Sequence, residues 1–214
     1  LAQGARCGCD RQSAREPLAA LFYDKTLRVE KNQHAVARNR LLAGRALGYS
    51  PEDPVNYGIA APSLALPCLP AAPFVVLLHA TSRDDKLWQE ADWIALAAHL
   101  AGKGANCVLP WGSIAEQQRS LRLAEQMPNA VVPPALTLAQ AAALLFQSIA
   151  TVGVDTGLVH LAAALNVPTI ALYCASDPGL TGLYAGGQAV NLGWSGMPPD
   201  APTVISALAA IAPP

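Results

Sequence analysis

The sequence predicts an α/β fold in which helices cover both faces of a parallel sheet. Between residues 74 and 173, short continuous apolar runs alternate with longer segments of helical periodicity. Such apolar runs are typical of strands that are buried on both faces. The short connections between these runs and the helical segments favour a doubly wound arrangement.

The first 73 residues are less regular. Helical signals cover residues 11–23 and 30–47, and Gly48 is placed to end the second helix. From Pro51 to Pro73 six prolines interrupt the chain. Because proline breaks helices, this stretch predicts an interdomain linker, with one short edge strand at residues 57–59.

After Pro73 the pattern predicts five strands and five helices. The strands are expected at residues 74–78, 106–109, 130–132, 149–154 and 169–173. The helices are expected at residues 89–100, 113–127, 137–147, 156–165 and 203–211.

Composition excludes several classes of protein. Hydrophobic residues make up 52% of the 214 residues, but no apolar run approaches the roughly 18 residues of a membrane helix. Five cysteines at irregular spacing predict no disulfide framework, which fits a reducing cytoplasm. The opening residues resemble no signal peptide and lack an initiator methionine, so we expect the chain to start inside a longer polypeptide.

Charge is unevenly distributed along the chain. Residues 1–50 contain nine Lys and Arg against four Asp and Glu. These cations either form a solvated helix face or meet an anionic partner, and both interpretations stay open. The sequence has no dense run of Lys and Arg, so it predicts no nucleic-acid partner.

In an open parallel sheet, ligands bind beyond the carboxyl ends of the strands. The first such loop, residues 79–86, has hydroxyls at Thr81 and Ser82 and cations at Arg83 and Lys86. These groups are suited to a diphosphate. Alternatively, both cations pair with the neighbouring Asp84 and Asp85 at the surface.

A second loop leads from a predicted strand into a helix that starts at about Thr156. Free backbone N–H groups and the helix dipole favour an anion at the start of this helix. Because Gly157 has no side chain, a phosphate could approach the backbone closely there. Asp155 is expected either to cap the helix or to accept bonds from sugar hydroxyls. His160 lies among apolar neighbours and is expected to pack.

The third loop contains Ser113 and Glu116 at the spacing of a capping box. Glu116 is also placed to accept bonds from ribose hydroxyls. No dinucleotide-binding glycine motif, P-loop or nucleophile elbow occurs. The residues therefore predict a nucleotide- or phosphate-binding α/β domain.

Several of these segments resemble the lipopolysaccharide heptosyltransferases of glycosyltransferase family 9. The matching segments run in order along nearly the whole chain: Ala14-Arg15-Glu16-Pro17-Leu18, residues 79–86, Leu109-Pro110-Trp111-Gly112, Val154-Asp155-Thr156-Gly157-Leu158 with His160, and Ser176-Asp177-Pro178-Gly179-Leu180.

This resemblance implies a GT-B fold, in which two Rossmann-like domains face a cleft, with the N-terminal domain largely missing from this chain. It implies that residues 1–55 are a remnant of the acceptor-binding domain and that residues 56–73 are the linker. Residues 74–200 would then bind the donor, and residues 201–214 would form a helix that packs back toward the N-terminal domain.

Roles for individual residues follow from the resemblance. Thr81, Ser82 and Lys86 would hold the donor diphosphate, and Glu116 the ribose. Asp155, Thr156, Gly157 and Leu158 would engage the heptose and the phosphates, and Arg15 would face the acceptor. No metal or cofactor is implied. The general base is expected in the missing N-terminal residues, so this chain alone is expected to be inactive.

The reaction implied is an inverting transfer of heptose from ADP-heptose to the Kdo of Kdo2-lipid A. Two alternatives stay open: a family member whose acceptor already carries heptose, and a non-catalytic nucleotide-binding module. The resemblance further implies a monomer that binds no nucleic acid and lies on the cytoplasmic side of the inner membrane as a peripheral protein.

Overall fold

A computed structural model describes residues 3–52, 54–66, 68–71 and 73–212. Residues 1, 2 and 53 of the expected N-terminal remnant, Pro67 and Ala72 of the expected linker, and the last two residues of the expected C-terminal segment lie outside these ranges. The chain forms two compact units. The first unit consists of Leu1–Pro54 with Gly179–Thr181, and the second of Val55–Pro178 with Gly182–Pro214.

The first unit contains two short parallel strands, β1 (Cys7–Cys9) and β2 (Lys25–Leu27), and helix α1 (Ala35–Leu47). The expectation of an α-helix over residues 11–23 is wrong, because a 3₁₀ helix spans only Pro17–Phe22. Proline holds the preceding residue in an extended conformation, and Glu16 indeed has φ −105° and ψ 100°. The expected apolar face of this segment is largely exposed, and Ala20 is its buried residue.

Helix α1 is shorter than expected at its start. His34 is its N-cap, where the ring Nδ1 accepts a bond from the N–H of Val36. The helix ends at Gly48 as predicted, with a left-handed φ of 80° that favours glycine.

The second unit is built on a six-stranded parallel sheet with strand order β5-β4-β3-β6-β7-β8. The strands are β3 (Phe74–Leu78), β4 (Asn106–Val108), β5 (Ala130–Val131), β6 (Ala150–Val154), β7 (Thr169–Tyr173) and β8 (Ala189–Gly193). Its helices are α2 (Glu90–Gly102), α3 (Ile114–Ala124), α4 (Leu138–Gln147), α5 (Gly157–Ala164) and α7 (Ala201–Ile211). The short helix α6 (Pro178–Thr181) begins in this unit, and its last three residues belong to the first.

Strand order fixes where a ligand site is expected. The chain moves outward from β3 through β4 to β5, then returns to pair β6 with the other edge of β3. This reversal places a crevice between the loops that follow β3 and β6. The predicted doubly wound fold is therefore confirmed, with its switch point between these two strands.

Alternation along β3 divides the core into two layers. Val75 and Leu77 face a cluster that includes Trp93 of α2, Leu123 of α3 and Val204 of α7. On the other face, Phe74, Val76 and Leu78 pack with residues of α4 and α5, including Leu144, Leu145 and Val159. Every residue of β3 is therefore buried, as the apolar run predicts.

Several features after residue 54 differ from the expectation. Residues 57–59 form no strand. Strand β8 and the short helix α6 were not expected, and α7 begins at Ala201, two residues early. The buried residues of α7 pack within this unit, where Val204 and Leu208 join the core cluster with α2. Among the described residues, no helix is both long and apolar enough to cross a membrane.

Candidate functional site

A cleft of about 600 Å³ lies at the carboxyl ends of β3, β4 and β6, within the second unit. It is formed by the three loops singled out in the sequence, with the start of α4 on one side. Its lining includes all eight residues expected to bind the donor, which are Thr81, Ser82, Lys86, Glu116, Asp155, Thr156, Gly157 and Leu158. The structure thus brings these residues together, and their individual roles stay predictions.

One end of the cleft is charged and centred on Asp155. Its carboxylate accepts bonds of 2.7 Å from the Lys86 ammonium and of 2.7 Å from the Ser176 hydroxyl. The imidazole Nε2 of His160 lies 3.8 Å from the same carboxylate. His160, Lys86 and Ser176 together hold the pKa of Asp155 well below its usual range, against the opposing effect of burial. Asp155 is therefore ionised at neutral pH.

Asp155 is not the helix cap that one interpretation expected. Thr156 is the N-cap of α5, with φ −145° and ψ 159°, and its side chain makes no capping bond. By contrast, a side chain caps α3, α4 and α7, from Ser113, Thr137 and Asp200 respectively. The start of α5 thus lines the cleft without a side-chain cap, and a Cβ added at Gly157 would meet nothing within 4 Å.

Glu116 lies across the cleft at the first turn of α3. The backbone N–H of Glu116 bonds to the Ser113 hydroxyl at 3.3 Å, which is half of the predicted capping box. The carboxylate does not complete the box, because it accepts a 2.7 Å bond from the N–H of Gly112 instead. One carboxylate oxygen is thus fixed by the loop, and the side chain lines the cleft.

The other end of the cleft is apolar. Trp111 lies here with its indole N–H donating to the carbonyl of Pro133 at 2.8 Å, so its polar atom is satisfied away from the cleft. Further apolar lining comes from Pro110, Leu136, Leu138 and Ala141. An apolar slot that continues into a charged pocket suits a ligand with one flat apolar part and one anionic part.

The two cations of the first loop differ in placement. Arg83 pairs with Asp85, and both side chains are more than half exposed. Lys86 points inward to Asp155, and its side chain is 20% exposed. The surface-pairing interpretation therefore holds for Arg83 and is wrong for Lys86. Arg15 is exposed and belongs to the first unit.

Sequence reasoning missed two polar residues of this site. His160 was expected to pack, yet its side chain is 40% exposed and lines the cleft. Its position one turn after Thr156 was the available signal, since residues four apart share a helix face. Ser176 follows β7 and meets Asp155 from 21 residues away, a contact that no local pattern indicates.

No group of three or more His, Cys, Asp or Glu side chains is placed to hold a metal ion, as far as the described part of the chain goes. All five cysteines are unpaired. The cleft is thus lined by an ammonium group, an imidazole, hydroxyls, the start of a helix and two carboxylates.

Comparison with known proteins gives consistent matches. Residues 1–200 match glycosyltransferase family 9 (heptosyltransferase). The chain is 48% identical over 187 residues to lipopolysaccharide heptosyltransferase 1 of Pseudomonas aeruginosa, a match that covers 87% of this chain and 52% of that protein. It is 45% identical over 191 residues to the enzyme of the same name from Escherichia coli K12, covering 89% of this chain and 60% of that protein.

The structural match agrees with the sequence matches. The solved structure of E. coli heptosyltransferase WaaC with ADP aligns with a TM-score of 0.86 at 38% identity, and covers 99% of this chain and 67% of that one. The chain therefore spans between about half and three fifths of the length of these two curated relatives.

Proposed function

This chain belongs to glycosyltransferase family 9, the heptosyltransferases, and from that premise we propose that its residues 74–200 bind ADP-heptose. The whole protein would transfer the heptose to the Kdo of Kdo2-lipid A, with inversion at the anomeric carbon. The observation that supports this most strongly is the cleft itself, in which an apolar slot at Trp111 continues into a charged pocket at Lys86 and the start of α5.

Each part of ADP-heptose has a counterpart in the cleft. The adenine would lie in the apolar slot, and the free edge of the Glu116 carboxylate would accept bonds from the ribose hydroxyls. The diphosphate would lie at the N-terminus of α5, where backbone N–H groups and the helix dipole favour an anion. Thr81, Ser82 and Lys86 would supply further donors from the facing loop.

Asp155 and Lys86 have complementary tasks in this arrangement. The ammonium group of Lys86 has three N–H donors, and one of them bonds to the Asp155 carboxylate. The remaining two are available to the diphosphate. Asp155 remains ionised, so the free lone pairs of its carboxylate would accept hydrogen bonds from heptose hydroxyls. The positive charge of Lys86 would reduce the repulsion between this carboxylate and the phosphates.

Names of similar proteins support this choice of donor and acceptor. All four curated relatives, at 44–48% identity, are named lipopolysaccharide heptosyltransferase 1. Two of the similar E. coli WaaC structures are described with ADP and with ADP-2-deoxy-2-fluoro heptose. A heptosyltransferase II structure shares only the fold with this chain, at 22% identity.

Binding at the membrane surface is part of the proposal. The excess of cations in residues 1–50, nine Lys and Arg against four Asp and Glu, would favour an anionic acceptor, and Arg15 is exposed among them. We place the whole protein on the cytoplasmic side of the inner membrane, bound peripherally and as a monomer.

Calorimetric titration with three nucleoside diphosphates tests the donor assignment. ADP should bind at least about tenfold more tightly than UDP or GDP, because the apolar slot suits adenine better than uracil or guanine, whose carbonyl groups would lose water there. Equal affinity for all three would overturn the assignment. A transfer assay with the whole protein then tests the acceptor, which should carry Kdo and no heptose.

A further inference from the structure

A buried polar pair behind the cleft takes no part in the binding contacts described above. His79 directly follows β3, and its side chain is fully buried at 0% exposure. Its Nε2 lies 2.8 Å from the hydroxyl of Ser120, which is also fully buried, on α3. Within the described residues, Nδ1 of the same ring has no hydrogen-bond partner.

Ser120 lies on the same face of α3 as Glu116, one helical turn further from the cleft, because residues four apart are neighbours on a helix surface. Helix α3 is mostly exposed, and its two buried residues are Ser120 and Leu123. The apolar packing of Leu123 has no preferred direction, whereas the hydrogen bond between Ser120 and His79 forms only when the two groups are correctly oriented. The Ser120 hydroxyl therefore gives the buried side of α3 a directional contact with the end of β3.

His79 is the first residue after β3, in the loop that also contains Thr81 and Ser82 of the proposed diphosphate site. The His79–Ser120 bond thus joins the phosphate side of the cleft to the helix that has Glu116 at its first turn. Arg119 and Arg122 pair with Glu90 at the start of α2, so they hold α3 from a different direction. Burial lowers the pKa of His79 to about 4, so the ring is neutral and the bond persists at physiological pH.

We propose that the His79–Ser120 hydrogen bond sets the position of Glu116 and thereby the recognition of the donor ribose. Ser120 is then a positioning residue of the adenosine site, although it touches no ligand. This inference rests on the proposed function, since it requires that Glu116 binds the ribose. Rotating α3 by a few degrees would move the carboxylate away from the hydroxyls and leave the diphosphate contacts in place.

The test compares two ligands that differ only at the ribose, ADP and 2′,3′-dideoxy-ADP, with the whole protein. Ser120→Ala should weaken ADP binding about fivefold, the value of one well-placed hydrogen bond, and leave the dideoxy compound unchanged. His79→Leu removes the same bond from the strand side and should lower the preference for ADP equally. Combining Ser120→Ala with Glu116→Gln should add little to Glu116→Gln alone, because both changes act through one contact.

Ser148→Ala provides a matched control. Ser148 is buried and its hydroxyl donates to the carbonyl of Leu145 at 2.7 Å, but it lies at the C-cap of α4, near the amino end of β6 and away from the carboxyl ends that form the cleft. This variant should lose stability and keep the preference for ADP.

Four outcomes would contradict the inference. Equal weakening of both ligands by Ser120→Ala would mean a general structural role, and no change with either ligand would mean that α3 is held without this bond. If Glu116→Gln itself leaves the preference for ADP unchanged, the ribose assignment in the proposed function fails first. If Glu116→Gln removes the preference and Ser120→Ala does not, only the positioning role fails.

Discussion

At the scale of single residues, Lys86 and Arg83 show how burial separates two cations in one loop. Lys86 is mostly buried against Asp155, whereas Arg83 pairs with Asp85 in solvent. Exposed ion pairs contribute little energy because water and salt screen them. A charge-assisted bond to a phosphate inside the cleft is shielded from water and is therefore stronger.

Lys86→Ala should reduce ADP affinity much more than Arg83→Ala. Loss of one charge-assisted bond costs about 1.5–3 kcal/mol, or roughly ten- to 150-fold in the dissociation constant. Arg83→Ala should change that constant by less than about twofold. Calorimetry on both variants measures the difference, and equal small effects would remove Lys86 from the diphosphate site.

His79 predicts a pH dependence of stability. Its pKa is lowered to about 4 in the folded protein, first by burial and then by the positive charge of Arg119, whereas the ordinary value is 6.5. Between these two values the unfolded chain binds a proton that the folded chain does not. The free energy of unfolding should therefore fall as pH decreases from 6.5 to 4, by up to about 3 kcal/mol from this group.

Denaturant unfolding at several pH values checks this expectation. His79→Gln cannot take up the proton, so its unfolding free energy should vary less over the same interval. Parallel pH profiles for the two proteins would show that His79 titrates normally in the fold.

At the scale of elements, the helix starts around the cleft differ in how their N–H groups are satisfied. Helix α4 begins with a full capping box from Thr137 and Gln140. Helix α5 has no side-chain cap and starts with Gly157, although Thr156 at its N-cap is a residue type that often caps. A helix start with free N–H groups that faces a cleft is suited to an anion.

Gly157→Ala tests this helix start. The added Cβ meets no atom within 4 Å, and alanine favours helix more than glycine, so stability should rise by several tenths of a kcal/mol. The methyl group would, however, occupy space that a phosphate needs, and ADP affinity should fall about tenfold. We expect thermal unfolding to show a higher melting temperature and calorimetry to show weaker ADP binding.

Gly102→Ala is the control for this variant. Gly102 ends α2, and its added Cβ also meets nothing within 4 Å. This substitution should leave ADP binding unchanged. If Gly157→Ala binds ADP as well as the control does, the phosphate is not at the start of α5.

Continuous apolar runs explain which strands could be predicted. Strands β3, β6 and β7 are buried along their whole length, and each was expected to within one residue. Strand β8 was missed because it is only half buried, contains Asn191 and follows two glycines. Asparagine is typical of loops, but the Asn191 side chain forms hydrogen bonds with the backbone of Leu183. Its polar groups therefore have partners although the residue lies in a strand.

At the scale of the whole molecule, the candidate site depends on contacts between distant parts of the sequence. The loops could be predicted, because each follows a strand that the apolar pattern identifies. The pairing of Lys86 with Asp155, 69 residues away, could not. Strand order decides which loops are neighbours, and β3 lies beside β6 although two strands separate them in sequence.

The second unit contains everything that the proposed donor site needs, which predicts that it folds and binds separately. Its sheet is covered on both faces by a hydrophobic cluster, and the cleft is lined from residue 78 to residue 160. A fragment of residues 55–214 should therefore unfold cooperatively and bind ADP within about threefold of the whole protein, since no predicted contact is lost. It should transfer no heptose, because it lacks the acceptor-binding domain, in which the general base is expected, together with Arg15 and the other cations of residues 1–50. Thermal unfolding, calorimetry with ADP and a transfer assay on this fragment check the three parts separately. A fragment that folds cooperatively but binds no ADP would mean that the first unit supplies part of the donor site.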